Sequence, residues 1–298
     1  MNIYSNISAN KKKTWLIMLL FVALITTLGF VFSKALGYGW GLVPVALIFA
    51  LLSTVGSFYY SDKIVLATSG AEPIEKKDNP ELYRIVENLC IGDGLPMPKI
   101  YIINDPSPNA FATGRDPNHA TVCVTSGLLN IMTKAELEGV IAHELSHVKN
   151  FDIRLMAVVA VLVGFVAIMA DLFMRNLWFS GRDRDNNNSQ AQAVFLIIGI
   201  ILAILSPIAA TLIQLAISRK REFLADASGA YLTRYPEGLA SALEKLAKDT
   251  TPLRSASNAT AHLFIENPFQ GKSAKTWFAS LFDTHPPIEE RIKVLRSM

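Results

Sequence analysis

The chain has 298 residues, of which 51% are hydrophobic, and a formal net charge of +3 at pH 7. An ordinary soluble domain has an apolar share of about 45–50% even when Gly is counted, so the composition excludes such a domain and predicts membrane-spanning segments. The basic residues are scattered or flank apolar runs, which argues against nucleic acid as a partner, and Cys90 and Cys123 are too few for a disulfide framework and are predicted to be buried thiols.

Two apolar runs open the chain. The first, residues 14–33, has twenty uncharged residues and follows Lys11, Lys12 and Lys13, and its length suffices to cross a hydrocarbon core of about 30 Å. A cleaved signal peptide would have an apolar core of only about 7–15 residues. The second run covers residues 39–60. The lysines before the first run place the N-terminus in the cytoplasm, and two crossings return the chain there.

Residues 61–150 have the composition of a soluble domain. A helix is predicted to begin at Pro80, and residues 99–103 and 121–125 are predicted to form strands. Between these strands, residues 109–114 combine small side chains with a terminal Gly, a pattern that suits an exposed edge strand able to pair with an extended peptide. An ordinary strand ending in a turn explains the same pattern and is favoured on spacing alone.

The sequence His-Glu-Leu-Ser-His, residues 143–147, lies in a predicted helix whose capping box is formed by Thr133 and Glu136. Residues four apart on a helix lie about 5–6 Å apart at Cβ, so His143 and His147 can bind one tetrahedral metal ion. A carboxylate beside the open position, here Glu144, is the natural general base for zinc-dependent hydrolysis.

A third ligand must come from elsewhere in the chain. A metzincin would continue to a Gly at position 150 and a His at position 153, but these positions hold Asn150 and Ile153. The metzincin class is therefore excluded.

Two further apolar runs follow, at about residues 153–174 and 193–217, separated by a polar loop. They are predicted to form the third and fourth spans, although Asp152 and Asp171 weaken the first of them. A buried or interfacial hairpin is the alternative. In both cases, an even number of crossings keeps His147 and the residues after 217 on the same side of the membrane.

Glu222 and Asp226, just after the fourth run, are four residues apart in a predicted helix and share one face. One carboxylate can complete a zinc site while the other orients a ligand imidazole through its second ring nitrogen. A solvated acidic pair beside a basic membrane anchor is the alternative. Among the remaining histidines, His119 and His262 are predicted to be structural or solvated.

The ordered motifs together resemble the HtpX family, heat-shock-linked bacterial membrane zinc endopeptidases related to the CAAX prenyl endopeptidases. The resemblance covers nearly the whole chain: two N-terminal spans, residues 109–114, residues 143–147, the apolar hairpin, Glu222 with Asp226, and residues 284–287.

The resemblance implies one zinc ion per chain. It implies that His143, His147 and Glu222 bind it, that Glu144 is the base, and that Asp226 lies behind a ligand histidine. It further implies that His285 lies near the metal and donates to the oxyanion, with Arg291 close by. The substrate strand is then formed by Asn109, Ala110, Phe111 and Ala112.

The sequence thus predicts an α+β zincin-type metalloprotease domain combined with about four transmembrane helices. The predicted segments are 1–60 (two spans), 61–150 (first part of the protease domain), 151–217 (third and fourth spans) and 218–298 (second part). By resemblance, the protein resides in the bacterial inner membrane with its catalytic domain facing the cytoplasm, and it cleaves damaged or misassembled membrane proteins there in quality control. Two rival functions stay open, a non-catalytic zinc-binding membrane scaffold and a membrane zinc enzyme that cleaves a bond other than a peptide bond.

Overall fold

The first two helices of the chain are long and apolar. The computed structural model describes residues 3–35, 38–180, 219–254, 260–266 and 286–298. Helix α1 is Ile3–Ala35 and helix α2 is Val43–Thr68. Within the described residues, Ile7–Val31 and Val43–Thr68 are long and apolar enough to cross a membrane. The second helix extends beyond the predicted residue 60 and stops just before Gly70, whose φ of 63° leaves the helical region.

A four-stranded sheet follows, formed by β1 (Ala71–Pro73), β2 (Lys99–Ile103), β3 (Ala110–Gly114) and β4 (Ala120–Thr125). The strand order is β1-β2-β4-β3. Strands β2 and β4 are parallel, whereas β1 pairs antiparallel with β2 and β3 pairs antiparallel with β4. Strand β3 therefore lies at one edge of the sheet.

Two helices of the next segment begin at the residues that the sequence predicts. In α3, Pro80–Asp93, the Asn79 side chain caps the N-terminus by accepting from Leu82 N, and a left-handed Gly94 follows the C-terminus. A short helix α4, Ser126–Ile131, leads to α5, Lys134–Lys149, which carries both histidines of the motif.

The second half of the described chain adds helices to the same core. Its helices are α6 (Asp152–Ser180), α7 (Arg219–Thr233), α8 (Pro236–Lys248) and α9 (Ile288–Leu295). One apolar cluster joins the sheet to α3, α5, α7, α8 and α9 and includes Val122, Ile141 and Leu243. A second cluster joins α1 to the start of α6 and includes Phe21 and Leu162. The helix that carries the histidines thus lies between elements from both halves of the chain.

The prediction of mixed helices and strands is confirmed. Two of the predicted spans correspond to helices of sufficient length and apolarity. The third run forms α6, and whether it crosses a membrane stays a prediction. The fourth run, residues 193–217, lies outside the described residues. Cys90 and Cys123 are buried free thiols, as predicted.

Candidate metal centre

Helix α5 positions three functional groups of the centre. Its N-terminus has the predicted capping box, in which the Thr133 side chain accepts from Glu136 N and the Glu136 side chain accepts from Thr133 N. His143, Glu144 and His147 are all buried. The Nε2 atoms of the two histidines lie 3.2 Å apart, so both rings face one point.

Helix α7 supplies the third group, Glu222. Its two carboxylate oxygens lie 3.8 Å from His143 Nε2 and 3.5 Å from His147 Nε2. The helices can approach this closely because Gly229 of α7 faces α5, where an added Cβ would lie 3.1 Å from His143 N. Two helices distant in sequence are thereby brought together at the centre.

The spacing of these donors fits a tetrahedral zinc ion. Zinc–ligand bonds of about 2.0–2.1 Å at tetrahedral angles place neighbouring ligand atoms about 3.3 Å apart, close to the 3.2, 3.5 and 3.8 Å observed. The donor atoms of His143, His147 and Glu222 all lie within 4.8 Å of one another. Two imidazoles and a carboxylate form a donor set that suits zinc.

A carboxylate lies behind each imidazole. Asp226 Oδ1 is 2.9 Å from His143 Nδ1, and Asp152 Oδ2 is 3.1 Å from His147 Nδ1. Because a carboxylate only accepts, each Nδ1 donates, which leaves Nε2 as the atom that the neutral imidazole can offer to a cation. Asp226 thus lies behind His143, one of the two histidines predicted to bind the metal, whereas Asp152 was not predicted as a site residue.

Arg291 from α9 fixes the position of Asp226. Its guanidinium donates from Nε to Asp226 Oδ2 at 2.8 Å and from a terminal nitrogen to Oδ1 at 2.7 Å. A further bond reaches the carbonyl of Ile265 at 3.3 Å. Arg291 is fully buried, with 0% of its surface exposed, so its charge is compensated by this two-pronged ion pair.

The charges of the centre shift the pKa values of its groups in opposite directions. Burial lowers the pKa of His143. Burial acts in the same direction on His147, but the bond to Asp152 and the charge of Glu222 outweigh it and raise its pKa to about 9. Burial alone would raise the pKa of Asp226, but Arg291 holds it below its ordinary value, so Asp226 accepts as a carboxylate. The negative charge around the imidazoles favours a cation between them.

Glu144 lies beside the donors and contacts the edge strand. Its carboxylate accepts a hydrogen bond from the backbone N–H of Ala112. Burial and the Glu222 charge raise the pKa of Glu144 to about 7, while the charge of His147 opposes them. A carboxyl with a pKa near neutrality can both accept and release a proton.

The predicted substrate strand lies at the sheet edge, but its outer side is partly occupied. The Asn109 carbonyl accepts from Thr125 N at the end of β4. Because backbone groups alternate along a strand, those of Phe111 also bond β4, whereas those of Ala110 and Ala112 point away from it. The Ala110 carbonyl accepts from Ile265 N at 3.0 Å, and the Asn109 side chain donates to the Glu266 carbonyl at 3.1 Å. Phe111 packs edge-on against Phe264.

His285 lies outside the described residues. Of the other histidines, His119 is an exposed partner of Asp116, and His262 is buried with Nε2 3.1 Å from the Met156 carbonyl, a structural arrangement in each case.

The sequence did not predict Asp152 or Asn10 as residues of the centre. The Asn10 side chain donates to the Asp152 carboxylate at 2.6 Å. A lone acid at the entrance of an apolar run was the available signal for Asp152, because such a charge needs a partner. The sequence contains no comparable signal for Asn10.

Residues 76–298 match the family described as Peptidase family M48. The chain is 46% identical over 300 residues to a protein of Caldanaerobacter subterraneus subsp. tengcongensis named Protease HtpX homolog, covering 99% of this chain and 98% of that protein. A protein of the same name from Dictyoglomus turgidum is 47% identical over 299 residues, with 99% and 94% covered.

Among solved structures, the chain is similar to S. mikatae Ste24p. The TM-score is 0.51 at 18% identity, and the match covers 98% of this chain and 67% of that chain. At this identity the likeness concerns the fold alone.

Proposed function

Since this chain belongs to peptidase family M48, we propose that it is a zinc-dependent endopeptidase that cleaves misfolded or damaged membrane proteins on the cytoplasmic side of the bacterial inner membrane. The coarser description, a membrane metalloprotease, follows from the family, the named relatives and the two apolar helices. M48 metalloproteases depend on zinc in general. The proposed cellular role is quality control during stress.

One observation carries the proposal: three buried donor atoms within 4.8 Å of one another, next to the Glu144 carboxylate and the strand edge at Ala112. Structural zinc sites are closed by four protein ligands, whereas catalytic sites keep one position open. Among the described residues, the group contains three donors. This count favours an enzyme over a zinc-binding scaffold.

The proposed roles of the residues follow from their chemistry. His143, His147 and Glu222 hold the zinc, which when bound supplies Lewis acidity that polarises a carbonyl and acidifies water. Glu144 takes the proton from the attacking water and passes it to the leaving amine nitrogen. His285, by resemblance, donates a hydrogen bond to the oxyanion.

The substrate peptide is proposed to pair with the outer edge of β3. Ala112 and Gly114 share the outward side of the strand, whereas the Ala110 carbonyl is already bonded to Ile265. An extended peptide would therefore pair from Ala112 toward Gly114, beside Glu144. Backbone pairing of this kind is sequence-tolerant, which suits a protease acting on damaged proteins.

The position of the centre supports membrane substrates and the cytoplasmic side. Asn10, at the start of the first apolar helix, contacts Asp152, the carboxylate behind His147. Lys11, Lys12 and Lys13 follow Asn10 directly, so the centre and the lysines lie at the same end of this helix. By the positive-inside rule that end faces the cytoplasm.

The test uses the full-length protein in detergent with an unfolded protein substrate. Glu144→Gln removes the base and leaves the three metal-binding side chains intact. The rate of hydrolysis is therefore expected to fall about 10²–10⁴-fold, while the amount of bound zinc is unchanged. Glu138→Gln is the matched control, because Glu138 lies on the same helix and pairs only at its surface with Lys134. Chelator should abolish hydrolysis by the wild type, and added zinc should restore it.

Each other outcome has a definite meaning. Equal hydrolysis by wild type and Glu144→Gln would overturn the assignment of the base. Zinc bound at one ion per chain with no hydrolysis of any unfolded membrane or soluble protein would favour the scaffold.

A further inference from the structure

Asp152 is a junction of three helices that are distant in sequence. Its Oδ2 contacts His147 Nδ1 of α5 at 3.1 Å, and its Oδ1 accepts from Asn10 of α1 at 2.6 Å. Arg221 of α7, the residue before Glu222, lies 3.3 Å from the same Oδ1. The Asp152 side chain is 3% exposed, so these contacts lie out of water.

Asn10 donates hydrogen bonds to residues on both sides of the turn between α5 and α6. Its Nδ2 donates to Asp152 Oδ1 and to the carbonyl of Asn150 at 2.8 Å. Because both partners are acceptors, they determine which side-chain atom of Asn10 is the donor. Asn10 is buried, and its second bond anchors the residue that caps α5.

The two oxygens of Asp152 thus have separate tasks. Asn10 and Arg221 bond one oxygen, which leaves the other directed at the imidazole of His147. Outer partners of this kind set the tautomer and ring orientation of a metal-binding histidine. A carboxylate without these donors could rotate, and His147 would lose its fixed direction.

We propose that Asn10 is a positioning residue of the metal centre, which acts through Asp152 on His147 and couples the centre to the first membrane-spanning helix. The inference rests on the proposed function, since it assumes that His147 binds the metal. It assigns to α1 a role beyond anchoring. A displacement of α1 along the membrane normal would be transmitted to one metal ligand through two hydrogen bonds.

The test measures metal affinity, not only hydrolysis. Full-length Asn10→Ala, Asp152→Asn and the double variant are purified in detergent and titrated with Zn²⁺ against a competing chelator. Co²⁺ then serves as a spectroscopic probe of ligand geometry. Removing an outer partner of a ligand histidine weakens metal binding about 10–100-fold, so we expect that range for Asp152→Asn and about tenfold for Asn10→Ala.

The double variant distinguishes positioning from general damage. If Asn10 acts only through Asp152, Asn10→Ala adds nothing in the Asp152→Asn background. Thr14→Ala is the matched control, because Thr14 is equally buried in α1 but its hydroxyl bonds only the Asn10 carbonyl of its own helix. Thr14→Ala should bind Zn²⁺ like the wild type and give the same Co²⁺ absorption bands.

The outcomes separate this inference from the proposed function. If His147→Ala weakens Zn²⁺ binding but Asn10→Ala does not, the positioning role is wrong and the proposed function stands. Additive losses in the double variant would also overturn it, since Asn10 would then act by another route. If His147→Ala binds Zn²⁺ as tightly as the wild type, the proposed metal site fails and the inference fails with it.

Discussion

Glu144 accepts a hydrogen bond from the backbone N–H of Ala112, so the residue proposed as the base is joined to the edge strand proposed to bind the substrate. The backbone groups of Ala112 point away from β4, and the residue is only 3% exposed. A peptide carbonyl that takes this N–H must replace the Glu144 carboxylate. Substrate binding and release of the base are therefore linked at one backbone group.

Replacing Ala112 with Pro removes this N–H without removing a bond to β4, because the outward side of an edge strand tolerates Pro. We expect kcat/KM for an unfolded substrate to fall at least tenfold, which corresponds to about 1.4 kcal/mol or more. Bound zinc should be unchanged. The measurement is steady-state hydrolysis together with metal analysis of the same sample.

Ala110→Pro is the control for the proposed pairing of the substrate with β3 from Ala112 toward Gly114. The Ala110 N–H donates to the Asn109 side chain at 3.1 Å, and the Ala110 carbonyl accepts from Ile265 N. Ala110 should therefore not pair with the substrate, and replacing it with Pro should change kcat/KM little. If Ala110→Pro lowers kcat/KM as much as Ala112→Pro does, the proposed register of the substrate is wrong.

Arg291→Gln should damage both stability and metal binding. Asp226 would be left buried without its cation, a change that costs about 3–5 kcal/mol of unfolding free energy. His143 would lose its fixed partner, so zinc affinity should fall about 10–100-fold. Arg291→Lys keeps the charge but not the two-pronged bond and should be intermediate. Unfolding in urea measures the free energy of unfolding, and chelator competition measures the zinc affinity. If Arg291→Gln equals the wild type in both quantities, the prediction is wrong.

The stability of the protein should depend on pH through Glu136. Its carboxylate accepts from Ser241 and from Lys245, both in α8, in addition to capping α5. Burial would raise the pKa of Glu136, but the bonds to Lys245, Ser241 and Thr133 lower it from 4.5 to about 2. A lowered folded-state pKa contributes stability that is complete above the unfolded pKa and is lost as the pH falls from about 4.5 toward 2.

We therefore expect wild type to lose about 2 kcal/mol more than Glu136→Gln between pH 7 and pH 3, since the amide does not titrate. Urea unfolding of both proteins in a non-ionic detergent at the two pH values gives the difference, in which the titration of other carboxylates cancels. A difference that does not change with pH would mean that the Lys245 pair does not stabilise the charged form.

His285→Ala tests the one proposed catalytic residue outside the described chain. Removing an oxyanion donor lowers kcat by about 10²–10³, while the zinc content should stay at the wild-type level because the three donors are intact. His119→Ala is the matched control, since His119 is exposed and pairs with Asp116. Loss of zinc from His285→Ala would assign this residue to metal binding instead.

The parts of the centre that the sequence predicts are those set by local helical geometry. His143 with His147, and Glu222 with Asp226, are each four residues apart, so helix formation alone directs each pair to one side. The cap at Thr133 and the helix start at Pro80 were likewise predictable, because helix starts depend on a few neighbouring residues. For residues 109–114, spacing alone favoured an ordinary strand ending in a turn over an exposed edge strand. The structure places β3 at the sheet edge, although Ala110–Gly114 are all buried.

The parts that the sequence does not predict are contacts between distant segments. Asn10 and Asp152 are 142 residues apart, and no periodicity connects them. The bond from Ile265 N to the Ala110 carbonyl of β3 is a similar case, because a backbone hydrogen bond does not depend on the identity of either side chain. The resemblance implied that Arg291 lies near the metal, but a charged residue would ordinarily be expected at the surface. Its complete burial is explained by its ion pairs with Asp226 at 2.7 Å and with Glu222 at 3.6 Å.

Phe151 provides a last test of how the α5–α6 turn directs Asp152. Its φ is 60°, a left-handed conformation that costs an ordinary residue about 1–2 kcal/mol, and the ring is held by Lys11 at 4.3 Å and Arg154 at 5.0 Å from its centroid. Phe151→Gly and Phe151→Val both remove the ring, but only Gly accepts the positive φ without strain. We expect Phe151→Gly to keep zinc affinity within about twofold of wild type and Phe151→Val to lose about tenfold, because a turn that relaxes to negative φ moves Asp152 away from His147. Chelator competition on the two variants gives the comparison. Equal loss in both would assign the effect to the ring and its cations, whereas no loss in either would show that the turn does not direct Asp152.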